Sequence, residues 1–407
     1  MLSWTTSRPI PGGWGGASAT SGHLDTATAA MEVADTIHDK FGSSPDLVVA
    51  FGSFHHAAAF TDAMNSLRRT LQPGCLIATT ADSILGDDVE LDGVSGLSAV
   101  AMRLPGVEIT PWRSTPSDPL PLSNPDALPQ RLGIRDQSKC MIMLADPFTT
   151  PTHRTLDVLS DLPDLEQSIP MVGGLSSGGS RPGINRLVID DTFQTSGSVG
   201  VTLSGPLECD TIVSQGCRPV GKPMLVTGVK DQHVITELGG LAALEQLKRT
   251  AQSLPKHERD LLQNGLLIGL VVDERRDHFG RGDFLVRSVL GVNQAEGFLS
   301  IGAVIRPGQT IQFQIRDAQA AHDDLQLLLD GQQLSGDPLA GLLVTCNGRG
   351  KSLFGSEGHD ITMARRRLNN MPTAGFFAAG EFGPIGNRSY LHGHTAVLTL
   401  LRPGQQA

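Results

Sequence analysis

The chain has no long apolar run, no basic excess, few aromatic residues and no paired cysteines. The longest apolar stretch, Leu266 to Val272, is interrupted by Gly269 and falls far short of the roughly 20 residues a bilayer-spanning helix needs. A net charge of -10 lacks the basic footprint of nucleic-acid binding, so no nucleic-acid partner is expected. Five cysteines (Cys75, Cys140, Cys209, Cys217, Cys346) are scattered without a C-x-x-C, which argues against a disulfide framework and a thiolate zinc site. "MLSWTTSRPIPGGWGGASATSG" has no apolar h-region, so the expected compartment is cytoplasmic, with no membrane partner.

What is present points to a soluble globular α/β protein. With 407 residues the chain exceeds one hydrophobic core, and two domains are the default. The 47 glycines and 25 prolines imply many tight turns. Residues 1 to about 22 are expected to lie loosely on the surface. The spacing predicts a helix over Thr26 to Phe41, a strand in "PDLVVAFGS", a helix in "HAAAFTDAMNSLRRTL" and a strand in "GCLIATTAD". "GLSAVAM", "KCMIMLAD" and "GSVGVTLSG" read as further strands, with an irregular, Pro-rich excursion between about Pro105 and Arg135. A second cycle of strands and helices begins near Cys209 and closes on "TAVLTLL". One internal echo is visible. "IPMVGGLSSGG" leads to "GSVGVTLSG" much as "MPTAGFFAAGE" leads to "HTAVLTLL", which suggests related halves.

"GLSSG" (Gly174 to Gly178) matches the nucleophile elbow G-x-S-x-G, but that motif needs a helix after the serine and "SRPG" blocks one. Gly173, Gly174 and Ser176 read better as a glycine loop with amides free to face a ligand. "GRGDF" is a turn into a strand, and His55 and His56 open a helix. The densest constellation lies near the C-terminus. There Cys346, Asn347, Arg349, Glu381, Asn387, His392 and His394 sit on glycine-punctuated loops beside strands. Arg349 is expected to turn inward on its flanking glycines and meet Glu381 or a ligand carboxylate. An arginine beside Cys346 would lower the thiol pKa.

"GCRPVGKPMLVTGVKDQHVITELGGLAAL", "FLVRSVLGVNQAEGFLSIGAVIRPGQTIQFQIRDA", "LLVTCNGRGKSLFG" and "PTAGFFAAGEFGPIGNRSYLHGHTAVLTLL" resemble the second half of the FIST family. The first half resembles FIST-N more loosely, through "DLVVAFGS", "MVGGLSSGG" and "GSVGVTLSG". The resemblance implies a flexible segment over residues 1–30, a FIST N-terminal domain over 31–235 and a FIST C-terminal domain over 236–402. The expected fold is α/β, two related mixed domains with mainly β cores flanked by helices and room for the two halves' sheets to pack together. The implied role is bacterial sensory signal transduction. The implied ligand is a small metabolite such as an amino acid, and the partner a separate signalling protein. The proposed ligand residues are Cys346, Asn347, Arg349, Glu381 and His392, reached by Gly173, Gly174 and Ser176. No catalytic residue, metal or obligatory cofactor is expected, and the oligomeric state is left open. Three alternatives stay open. One is a haem-binding gas sensor with His392 as axial ligand. Another is an enzyme using Cys346 with His392 or His394. The third is a scaffold that recruits a protein.

Overall fold

The computed structural model describes residues 13–162 and 168–404. Its first unit runs through Gly15–Ser21 (β1), Thr26–Phe41 (α1), Leu47–Ser53 (β2), Phe60–Leu71 (α2) and Cys75–Ala81 (β3). A hairpin, Ile84–Gly86 (β4) and Val89–Leu91 (β5), precedes the returning strand Leu97–Arg103 (β6). The second unit repeats this plan: Glu108–Ser114 (β7), Leu128–Leu132 (α3), Ser138–Ala145 (β8), Thr152–Ser160 (α4) and Met171–Leu175 (β9). Its hairpin is Leu187–Ile189 (β10) and Thr192–Gln194 (β11), and its returning strand is Ser198–Ser204 (β12).

The third unit begins with Leu207–Gln215 (β13) and is then interrupted by an inserted domain. That domain holds Cys217–Lys230 (β14), Val234–Leu238 (β15), Leu241–Ala242 (β16), the helices Ala243–Ser253 (α5) and Lys256–Asn264 (α6), and Leu266–Val271 (β17). Phe284–Asn293 (β18), Phe298–Ile301 (β19) and Thr310–Arg316 (β20) complete its sheet. The third unit resumes with Ala318–Gln332 (α7), Ala340–Cys346 (β21), Gly350–Phe354 (α8), His359–Arg367 (α9) and Thr373–Ala378 (β22). Its hairpin is Glu381–Ile385 (β23) and Arg388–His392 (β24), and Thr395–Pro403 (β25) returns.

Three sheets share one strand order: β1-β6-β2-β3-β10-β11, β7-β12-β8-β9-β23-β24 and β13-β25-β21-β22-β4-β5. In each, two parallel strands sit at the centre (β2 with β3, β8 with β9, β21 with β22). Each unit lends its hairpin to another unit's sheet, so β4 pairs with β22, β10 with β3 and β23 with β9. The exchange is cyclic and joins the three sheets into a ring.

Strand alternation explains the layering. One face of each sheet supplies a common core, with Val49, Phe51, Ile142, Leu144, Leu342 and Phe376 among its members. The opposite faces carry the helices. In α1, Ala29, Ala30, Val33, Ala34 and Ile37 recur at helical spacing and are buried, while Asp25 caps the first turn by accepting the Thr28 amide at 2.9 Å. The inserted sheet has its own core around Ile268, Phe313 and Leu299. Among the described residues no helix is long and apolar enough to cross a membrane.

The chain is thus mixed α/β, with sheets flanked by helices and the sheets of both halves packed together. The internal echo corresponds to β9 leading to β12 and β22 leading to β25, and β3 leading to β6 is a third copy. Two local expectations are corrected. Residues 15–21 are an edge strand paired along β6, with Ala17 and Ala19 buried. Within the supposed irregular excursion, β7 pairs with β12, and its Pro111 is tolerated because β7 is an edge strand. Residues 1–12 lie outside the described residues.

Candidate functional site

Cys346 closes β21, where the turn Asn347–Gly350 begins. The Arg349 amide donates to the Cys346 carbonyl at 2.8 Å, and Gly350 takes a φ of +54°. A Cβ there would stand 2.8 Å from the Phe377 ring, so glycine answers both the angle and the space. The turn carries the Arg349 side chain inward, to 1% exposure, while Asn347 stays exposed.

The partner of Arg349 is Asp360, not Glu381. Nε and Nη2 donate to the two oxygens of Asp360 at 2.7 and 2.9 Å, a bidentate fork that lysine could not reproduce. The Thr345 hydroxyl and a His359 ring nitrogen also reach that carboxylate, at 3.1 and 2.9 Å. Burial opposes ionisation of Asp360, but the Arg349 guanidinium overrides it and holds the carboxyl well below the usual range. Glu90, from the first unit's hairpin, accepts the amides of Gly358 and Asp360 at the start of α9, at 2.9 and 3.0 Å.

Glu381 and His392 face each other across the β23–β24 hairpin. Glu381 is fully buried and accepts the Thr395 hydroxyl at 2.6 Å. Burial pushes its carboxyl up to about 8. His392 has Nε2 bonded to the Gly383 carbonyl at 2.9 Å, and burial takes its pKa down to about 4. That bond engages Nε2 and leaves Nδ1 as the ring nitrogen with a lone pair. Gly174 pairs with Glu381 and Gly173 with Phe382, which brings the predicted glycine segment to the site. A Cβ on Gly174 would lie 2.8 Å from Val344, so close strand approach explains that glycine. Ser176 is no nucleophile. Its hydroxyl bonds Thr79 at 2.6 Å, its amide donates to Ala145, and no helix follows.

The Cys346 thiol is not activated. Burial and the neighbouring Glu381 carboxylate push it up to about 12, against the smaller pull of Arg349. Burial likewise takes His394 down to about 4. The thiol accepts the Gly348 amide at 3.4 Å and is also hydrogen-bonded by the backbone of His394. Three residues that act on the thiol, Arg349, Glu381 and His394, each hold a buried polar atom without a partner among the described residues: Nη1, Oε1 and Nδ1 respectively. Buried polar groups are nearly always satisfied, by ordered water as well as by protein, so these three atoms are open to water or to a polar ligand. Arg349 Nη1 lies at the junction with the inserted domain, 3.1 Å from where a Cβ on Gly216 would stand.

A pH prediction follows from Glu381. Its folded pKa lies above the unfolded value of 4.5, so the folded state keeps a proton that the unfolded state has released. That stability is full below about pH 4.5 and is lost as pH rises toward 8. Between pH 7 and 8 the protein should lose about 1 kcal/mol, since the folded group is itself half ionised by pH 8. Glu381→Gln should flatten that limb in urea titrations; a slope unchanged in the variant removes Glu381 as its cause.

Sequence reasoning missed Asp360, Thr395, Glu90 and Arg287. Arg287 is a lone arginine in the apolar strand "FLVRSVLG", and that was a usable signal. Burial takes its pKa down to about 10 despite the opposing charge of Glu381, and it donates to the Leu391 carbonyl at 2.9 Å. Asp360 sits in a polar helix segment, "GHDITMARRR", and reads there as a surface residue.

Comparison with known proteins matches the FIST N domain to residues 46–241 and the FIST C domain to residues 243–384. The boundary between the two matches falls inside the inserted domain. Uncharacterized proteins of Mycobacterium tuberculosis and Mycobacterium bovis are 37% identical over 394 residues, covering 92% of this chain and 96% of theirs. Among solved structures, a cyanuric acid hydrolase from A. caulinodans aligns over 97% of this chain and 100% of its own, with a TM-score of 0.33 and 8% identity. A likeness that low carries no argument.

Proposed function

The chain belongs to the FIST family, and from that premise we propose that it is a small-molecule-binding protein of the sensory type whose ligand is an amino acid. FIST domains are associated with signal transduction. The observation that carries the ligand class is the trio of unpartnered atoms on the three residues that act on the Cys346 thiol. Arg349 Nη1 offers a donor to a carboxylate, and Glu381 Oε1 and His394 Nδ1 offer acceptors to an ammonium group. An ammonium ion beside Glu381 would draw off its proton, exchanging a buried neutral acid for an ion pair. A separate signalling protein is the expected recipient of the bound state. An enzyme using Cys346 is the weaker reading, because a thiol pushed up to about 12 is a poor nucleophile at neutral pH.

The test is a thermal-shift screen of amino acids and of their deaminated and decarboxylated analogues. A ligand at 100 times its Kd should stabilise by about 2.7 kcal/mol. Analogues lacking either charged group should give little shift. Glu381→Gln at pH 7 should melt near the wild type without ligand and lose the ligand-induced shift. A screen without any amino-acid response, or a variant that keeps its response, would sink this reading.

A further inference from the structure

Asp360 has a second side. Its Oδ1 meets His359 Nδ1 at 2.9 Å, and His359 Nε2 meets His322 Nδ1 at 3.0 Å. This chain of three side chains runs from the interior into a cleft of about 500 Å³ between α7 and α9. The His359 ring is fixed by stacking on Phe354, with centroids 3.5 Å apart and planes 13° apart. Asp360 is immobilised by the Arg349 fork and by Thr345.

The anchoring gives the chain a direction. An ionised carboxylate only accepts hydrogen bonds, so His359 Nδ1 must donate to Asp360. When both rings are neutral, His359 Nε2 is then an acceptor and His322 Nδ1 donates to it. His322 Nε2 is left with a bare lone pair, and among the described residues no hydrogen bond engages it. The lining beside it is cationic. Arg366 is exposed and forms no ion pair among the described residues, whereas Arg367 pairs with Asp330. The carboxylate on this wall, Glu357, is paired with Lys351 at 3.6 Å. A ligand here must bring negative charge for Arg366 and, beside it, a hydroxyl proton for His322.

We propose that the cleft between α7 and α9 binds an oxyanion that carries its own hydroxyl proton, with hydrogenphosphate as the simplest member, His322 Nε2 accepting the O–H and Arg366 meeting the charge. The site is separate from the amino-acid site around Cys346 and does not rest on it, although both share Asp360. Its selectivity follows from the lone pair. Sulfate at neutral pH has no proton to give, and neither has the dianion of a phosphate monoester above its second pKa of about 6. Either would set an anionic oxygen against the nitrogen.

Calorimetric titration of the full chain at pH 8 with inorganic phosphate, sulfate and methyl phosphate tests this. Phosphate should bind about tenfold or more tightly than the other two, the usual scale for a hydrogen bond involving a charged group. Arg366→Gln should weaken all three anions together. His322→Gln offers a donor and an acceptor that rotate freely, so it should bring the phosphate-to-sulfate ratio close to one. His322 is partly exposed on α7, and an unchanged melting temperature would confirm that this variant folds. Long-range proton–nitrogen spectra should show the His322 ring protonated at Nδ1 and bare at Nε2. The proposal is overturned by a wild type that binds no phosphate or binds phosphate and sulfate alike. Discrimination that survives His322→Gln, or a proton found on Nε2, overturns it equally.

Discussion

Asp360→Ala is expected to destabilise the protein by about 3–5 kcal/mol, the range for removing one partner of a buried ion pair. The reason is what stays behind. Arg349 is 1% exposed and cannot give up its proton in a protein. Without Asp360 its guanidinium would be left beside the Cys346 and Cys217 thiols, with Glu381, a carboxyl that burial keeps protonated at neutral pH, as the acid whose charge it feels. The loss should fall on equilibrium stability, read as a lower urea midpoint at an unchanged slope. Asp360→Asn should recover part of it, because the amide keeps the volume and one acceptor but not the charge. The double variant Arg349→Met, Asp360→Leu should be less damaged than either single change, because buried pairs replaced by apolar residues are often nearly neutral. If Asp360→Ala stays within about 1 kcal/mol of the wild type, the fork is not an isolated buried pair and water must reach it.

This pair also marks the limit of what the chain discloses before it folds. Local rules sufficed wherever the cause of structure is local. Helix α1 runs over Thr26–Phe41 as its spacing predicts, because apolar periodicity and the Asp25 cap act within one segment. The inward turn of Arg349 was legible for the same reason, from the glycines on either side. Its partner was not, because the choice between Asp360 and Glu381 depends on how α9 docks against β21. The exchanged hairpins were hidden too. A strand as short as Ile84–Gly86 carries no periodicity, and its partner β22 lies almost three hundred positions away. β1 was concealed by composition: "GGASATS" resembles a loop. Yet Gly16 is small because the Leu339 carbonyl stands where its Cβ would go. Cys346 drew attention as a thiol beside an arginine, and burial reversed the expected sign of its shift.

Phe376→Ala carries the other large effect and tests the ring of sheets itself. Phe376 lies on β22 in the third unit, fully buried. Its ring stacks on Phe51 of the first unit with centroids 4.9 Å apart and planes 25° apart. Truncation should cost about 3–5 kcal/mol, from lost transfer energy and from a cavity that three sheets hold open. Phe51→Ala should cost a similar amount. The double variant should cost less than the two together, because the second truncation enlarges a cavity already made and the pair's own attraction of about 0.5–1.5 kcal/mol is lost only once. The more telling readout is where the loss appears. Trp14 packs against the shared core and Trp112 lies behind the second sheet, so in a Trp4→Phe background, which removes the third tryptophan, fluorescence reports the first two units, far along the chain from residue 376. If the three units share one core, Phe376→Ala must lower the fluorescence midpoint as much as it lowers the circular-dichroism midpoint of the sheets. The inserted domain, with its own core, is free to melt separately. A tryptophan transition that stays at the wild-type midpoint while the rest shifts would mean that the FIST N portion folds independently, and that the exchanged hairpins decorate two separate domains instead of closing one.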